Sequence, residues 1–175
     1  MLGQVVMRII KHCRSSTGLA AGQLLGFYNN EKQELELTYS FQTPPAGEAE
    51  GEDGGEDGDY QVSMLRCLRE VNVDCNNVGW YTSSFFFSFV STATALSQYE
   101  YQSNVEGAVA LVYDPRQTAS GSLFLKAFRL TERFMNFAGQ VFGKAGDRKP
   151  SSHDSPSLDE CARRAHPLLF CCVGL

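Results

Sequence analysis

The chain has 175 residues, with 43% hydrophobic and 20% charged side chains, which is enough to bury one sizeable core. Its net charge of −5 comes largely from seven carboxylates within twelve residues (Glu48, Glu50, Glu52, Asp53, Glu56, Asp57 and Asp59), so no gathered basic field points to nonspecific nucleic-acid binding. Cys13, Cys67, Cys75, Cys161, Cys171 and Cys172 form no CxxC pair and no signal peptide is recognisable, so a reducing, cytoplasmic setting is expected, with neither a disulfide nor a zinc-finger framework.

Residues 4–13 place Val5, Val6, Ile9, Ile10 and Cys13 on one side at helical spacing and Arg8, Lys11 and His12 opposite, predicting an amphipathic helix. Runs at 23–28 and 35–41, separated by Asn29-Asn30-Glu31-Lys32, predict a hairpin. Leu35, Leu37, Tyr39 and Phe41 alternate with Glu36, Thr38 and Ser40, so the second strand should have one wet face. The segment 44–59 offers no apolar side chain larger than Ala and reads as an acidic loop. A second helix follows over 60–71, with Val62, Met64, Leu65 and Leu68 as its apolar face and Asp59 as N-cap. A short strand is expected at 78–81, a third helix at 92–101, a central strand at 108–113 stopped by Asp114-Pro115, and a further strand at 122–130. The interleaving argues an α/β layered domain over 1–138. Residues 139–175, rich in Gly, Ser, Pro and charge, read as an irregular tail, and the apolar runs at 84–90 and 168–175 are too short to span a bilayer.

The order VGWYTSSFFFSFVSTATALSQ over 78–98 resembles the metal-binding segment of the MPN domain, the JAB1/MPN/Mov34 family. The resemblance implies a cytidine-deaminase-like layered fold with a central mixed β-sheet flanked by helices. It also implies a strand ahead of the first helix, which this sequence does not contain. Catalytic members carry GWYHSHP and then a Ser and an Asp near the start of the next helix. Two His and the Asp hold zinc with water at the fourth position, and a Glu near the first strand acts as base. Aligned on Gly79-Trp80-Tyr81, the two His positions fall on Thr82 and Ser84 and the Pro on Phe85. With one residue deleted in the aromatic run, the family Ser falls on Ser91 and the ligand Asp on Thr94, while GQLLG over 22–26 places the base on Leu19. Catalytic zinc needs three protein ligands, an open water site and a proton acceptor; neutral alcohols are poor ligands for it and Leu19 takes no proton. No cofactor or metal and no enzymatic activity are therefore expected.

The stretches VVMRIIKH over 5–12, GQLLGF over 22–27, LRCLREVNVD over 65–74 and YDPRQTASGSLFLKAFRLT over 113–131 resemble, in combination, a non-catalytic MPN branch built into eukaryotic translation initiation factor 3. This implies a scaffold that supports initiation complexes on the small ribosomal subunit and mRNA recruitment. It would contact other subunits of that factor, foremost the MPN-containing f subunit, with no membrane or small-molecule substrate. Val6, Ile9, Ile10, Leu65 and Leu68 are the candidate pairing residues, although burial in the chain's own core predicts the same pattern. Other readings are a non-catalytic MPN subunit of the proteasome lid or signalosome, and a zinc-dependent isopeptidase.

Ser83 and Ser84 lack a sequence-adjacent His, and His12 reads as a surface or edge histidine. Phe85, Phe86, Phe87 and Phe89 suit either a partner-facing patch or the core. The terminal Cys172-Val173-Gly174-Leu175 matches a prenylation box only in outline, with no polybasic segment before it.

Overall fold

A computed structural model describes residues 2–16, 18–29, 31–32, 34–44, 57–71, 76–85, 91–142 and 170–173, and of these the side chains outside 57–59, 92, 140–142 and 170–173. In chain order the elements are α1 (Leu2–Ser15), β1 (Ala21–Asn29), β2 (Glu34–Gln42), α2 (Asp57–Glu70), β3 (Asn77–Ser83), α3 (Thr92–Asn104), β4 (Val109–Tyr113), α4 (Pro115–Ala119), β5 (Leu125–Leu130), α5 (Glu132–Phe142) and β6 (Phe170–Val173). The strands form one mixed sheet in the order β2-β1-β3-β4-β5-β6, of which only the β3–β4 pair is parallel. The α/β architecture with a central mixed sheet agrees with the sequence expectation.

The sheet is covered on both faces. Val5, Ile9 and Cys13 of α1 pack with Leu24, Tyr81, Val109, Leu111 and Tyr113 in the main core. The alternating residue Trp80 points the other way and donates its indole N–H to Gln98 of α3. Every residue of β4 is buried, as a central strand flanked by helices requires.

Several boundaries and faces differ from the sequence expectation, each for a local reason. The β1–β2 register steps from Leu25↔Tyr39 to Gly26↔Leu37, leaving Thr38 without a direct partner. Such a bulge reverses the alternation, so the single apolar face expected of β2 is divided. Leu35 and Leu37 join the main core, while Tyr39 and Phe41 join a second cluster with Leu25, Tyr60, Met64, Leu65 and Leu68. Helix α2 begins at Asp57, so Asp59 lies inside the helix and is not its N-cap. Tyr60 takes the place in the apolar face that was expected of Val62, which is 64% exposed.

Asp114 stops β4 as expected but then caps a helix that the Asp-Pro pair had hidden. Its Oδ1 accepts from the backbone N–H groups of Arg116 (2.9 Å) and Gln117 (3.1 Å), with Pro115 at a first-turn position that needs no N–H partner. Strand β5 starts three residues later than expected, and Leu123 ahead of it is exposed. Residues 139–175 are not irregular throughout, as had been expected. Helix α5 runs through Gly139 to Phe142, with Phe134 and Met135 packed against Ala95 and Leu130, and β6 pairs antiparallel with β5. The polar and glycine-rich composition there concealed backbone pairing that depends on a distant strand. The acidic loop falls mostly outside the described residues, as do Phe86, Phe87, Phe89, His153 and His166.

Candidate functional site

The site positions lie in two places, at the end of β3 and at the start of α3. Antiparallel pairing of β1 with β3 sets Ala21 opposite Thr82. Just before it, Ala20 and Ser83 lock the strand ends: Ser83 N–H donates to the Ala20 carbonyl and Ala20 N–H donates to Ser83 Oγ, both at 2.8 Å. This brings the chain at Leu19 next to the end of β3, with the Leu19 side chain 67% exposed. Ser84 N–H donates to the Tyr113 carbonyl of β4 at 3.0 Å, and the Ser83 and Ser84 side chains are each 2% exposed. Both serines are thus built into the strand end, without the exposed hydroxyl that a nucleophile needs.

Thr82 Oγ1 donates to the Ser83 carbonyl at 3.1 Å. Ser91 is the N-cap of α3: its Oγ accepts from Thr94 N–H at 3.2 Å and lies 2.9 Å from Thr94 Oγ1. Ser91 and Thr94 therefore satisfy one another at the helix start. Half-buried Phe85 carries the Arg116 guanidinium 4.6 Å above its ring. Zinc does not fit this donor set, which offers only alcohols, and neither imidazole nor carboxylate, at Thr82, Ser84 and Thr94. Among the described residues, no three His, Cys, Asp or Glu side chains converge as a metal site.

Two polar networks that sequence reasoning missed hold α3 against the sheet. Fully buried Gln98 accepts from Trp80 Nε1 at 2.8 Å, and its amide donates to Gln102 Oε1 (3.0 Å) and to the Ala108 carbonyl (3.2 Å). Gln102 continues to the Leu130 backbone of β5, accepting at 2.6 Å and donating at 3.4 Å. Gln23 of β1 accepts from Tyr101 (2.6 Å) and Asn77 (3.0 Å). The i, i+4 spacing of Gln98 and Gln102 was a visible signal, but glutamines at that spacing usually mark a solvated helix face. On the opposite face, His12 Nδ1 meets the Tyr81 hydroxyl at 2.8 Å. The edge histidine expected on the polar side of α1 is thus half-buried and bonded to the sheet.

Among the candidate pairing residues, Ile9 is 0% and Leu68 7% exposed, both within the chain's own core, so they present nothing to a partner. Val6, Ile10 and Leu65 are half-buried. Leu2 and Met7 on α1 and Val62 on α2 are the exposed large apolar side chains of these helices.

The family described as JAB1/Mov34/MPN/PAD-1 ubiquitin protease matches residues 2–107, which include every element from α1 to α3. The chain belongs to this MPN family. The H subunit of eukaryotic translation initiation factor 3 from Nematostella vectensis is 39% identical over 153 residues, covering 82% of this chain and 45% of that protein. The protein of the same name in Dictyostelium discoideum is 42% identical over 145 residues, covering 81% and 44%. The H-B form of that subunit in Danio rerio is 41% identical over 153 residues, covering 85% and 45%. The chain therefore spans a little under half the length of these MPN relatives. No helix among the described residues is long and apolar enough to cross a membrane.

Proposed function

We propose that this MPN chain is a non-catalytic scaffold subunit of eukaryotic translation initiation factor 3, acting in the cytoplasm to support assembly of initiation complexes on the small ribosomal subunit and mRNA recruitment. The observation that carries the reading is the hydroxyl set Thr82, Ser84 and Thr94 at the family's ligand positions, in a chain about 40% identical to proteins named as the H subunit of that factor. Alcohols built into the strand end and helix cap leave nothing to activate water, while the surrounding fold stays intact. Pairing with an MPN partner, the f subunit, would use the exposed parts of α1 and α2, with Val6, Ile10 and Leu65 at the margin and Leu2, Met7 and Val62 outermost.

A tagged chain expressed in eukaryotic cells should co-purify with initiation factor 3 subunits, including f. Recovery of proteasome-lid or signalosome subunits instead would sink this assignment. Stoichiometric zinc in the purified protein, measured by elemental analysis, would revive the isopeptidase reading.

A further inference from the structure

We propose that the groove between α1, β2 and α2 binds an extended acidic peptide from a partner protein, held by Arg8 and Lys11. The groove encloses about 430 Å³ on the side of the domain carrying α1, and its walls include Arg8, Lys11, His12, Gln42, Tyr39 and Tyr60. No carboxylate occurs among its described lining residues. Helix α1 carries Arg8, Lys11 and Arg14 and no acidic residue, and none of these three cations is paired with a carboxylate among the described residues. Basic side chains with no carboxylate partner among the described residues, set along a groove, favour an anionic occupant.

Spacing and surface chemistry favour a peptide. Arg8 and Lys11 stand three residues apart on the helix, which sets their Cβ atoms about 5–6 Å apart. Carboxylates at alternate positions of an extended chain repeat at about 6.5 Å on one side, within reach of both flexible cations. Gln42 is exposed at the rim, where its amide can bond a peptide backbone. Single-stranded RNA fits less well, because it needs open aromatic faces on which bases stack. Here Tyr81 and Phe41 are buried, Tyr60 is half-buried against the second cluster, and one face of Tyr39 is covered by the Arg8 guanidinium at 4.2 Å. The same stacking holds Arg8 in place at the groove wall.

The test is fluorescence anisotropy on the full chain with a labelled peptide of alternating glutamate and serine, its glutamine analogue, and labelled oligouridylate. The glutamate peptide should bind, the glutamine analogue should not, and raising salt from about 50 to about 300 mM should weaken binding. Arg8→Glu with Lys11→Glu should weaken it at least about tenfold, whereas Arg133→Glu on exposed α5 and the charge-keeping Lys11→Arg should not. Circular dichroism on each variant separates loss of binding from loss of fold, and Lys11→Glu alone, at an exposed position, serves if the double variant unfolds. The proposal is overturned if the glutamate peptide fails to bind or binds the charge-reversed chain equally well. It is also overturned if oligouridylate binds more tightly and is lost with the same variants. Peptide binding that emerges only after the seven carboxylates over 48–59 are neutralised would show the groove to be taken by the chain's own acidic residues, which likewise overturns a partner peptide.

Discussion

His12 and Tyr81, 69 residues apart in sequence, meet through Nδ1 and the phenolic oxygen at 2.8 Å, with their rings edge-to-face at 5.9 Å between centroids. Burial lowers the His12 pKa below its usual 6.5 and raises that of Tyr81, so the contact joins a neutral imidazole to a neutral phenol. It ties the polar edge of α1 to the middle of the sheet.

Stability should therefore fall on both sides of neutrality. On acidification the unfolded chain protonates His12 at about its ordinary value while the folded chain resists, so stability present above pH 6.5 is lost as pH falls through the lower folded value. On the alkaline side burial pushes the Cys13 thiol up to about 11 from 9.0, so its contribution is complete below pH 9.0 and is lost as pH rises towards 11. Thermal denaturation across pH should show both slopes, and His12→Phe should flatten only the acid one. An unchanged acid limb in that variant would count against the assignment.

Gly22 lies directly beneath the Tyr81 ring, and a Cβ there would strike that ring and the Phe41 carbonyl oxygen. Gly22→Ala should cost about 1–3 kcal/mol, as overpacking of a fitted core does. Tyr81→Phe, which removes only the hydroxyl, should cost about 1 kcal/mol. Urea denaturation of both variants measures the difference.

Gln98→Leu should leave the Trp80 indole N–H and the buried Ala108 carbonyl without their partner and cost about 1–3 kcal/mol, most of it at the carbonyl. Because Trp80 is the one tryptophan in the chain, its fluorescence reports this site directly. The emission should change in Gln98→Leu and stay unaltered in Ser103→Ala, a substitution at an exposed position of the same helix.

Ser91→Ala should destabilise the start of α3 by about 1 kcal/mol through loss of the cap, read as lower thermal stability. Ser91→Asp should restore most of that loss, since its carboxylate can accept from Thr94 N–H. A functional hydroxyl without a capping role would gain nothing from the Asp.

The MPN frame was legible because it is local. Gly79 accounts for its own place in GWY: its φ of 149° and the Val109 carbonyl pressed against it leave no room for a side chain. The helical spacing of Val5, Ile9 and Cys13 and the unbroken apolar run of β4 were likewise readable, since burial imposes a period on the sequence. The positions that the resemblance implies for ligands and base were legible in the same way, Thr82, Ser84 and Thr94 from their distance to the GWY frame and Leu19 from its distance to GQLLG.

Tertiary structure alone decided what depends on residues far apart in the chain. Composition could not reveal that buried Gln98 and half-buried Gln102 are polar joints, because only their partners on β3 and β5 offset the cost of burial. The bulge at Thr38 turned an even alternation into two cores, and pairing with β5 made a strand of Phe170–Val173. Sequence by itself determined periodic burial and which residue types flank the GWY frame; the fold decided which polar groups meet, because a hydrogen bond is specified by two positions and a sequence pattern by one.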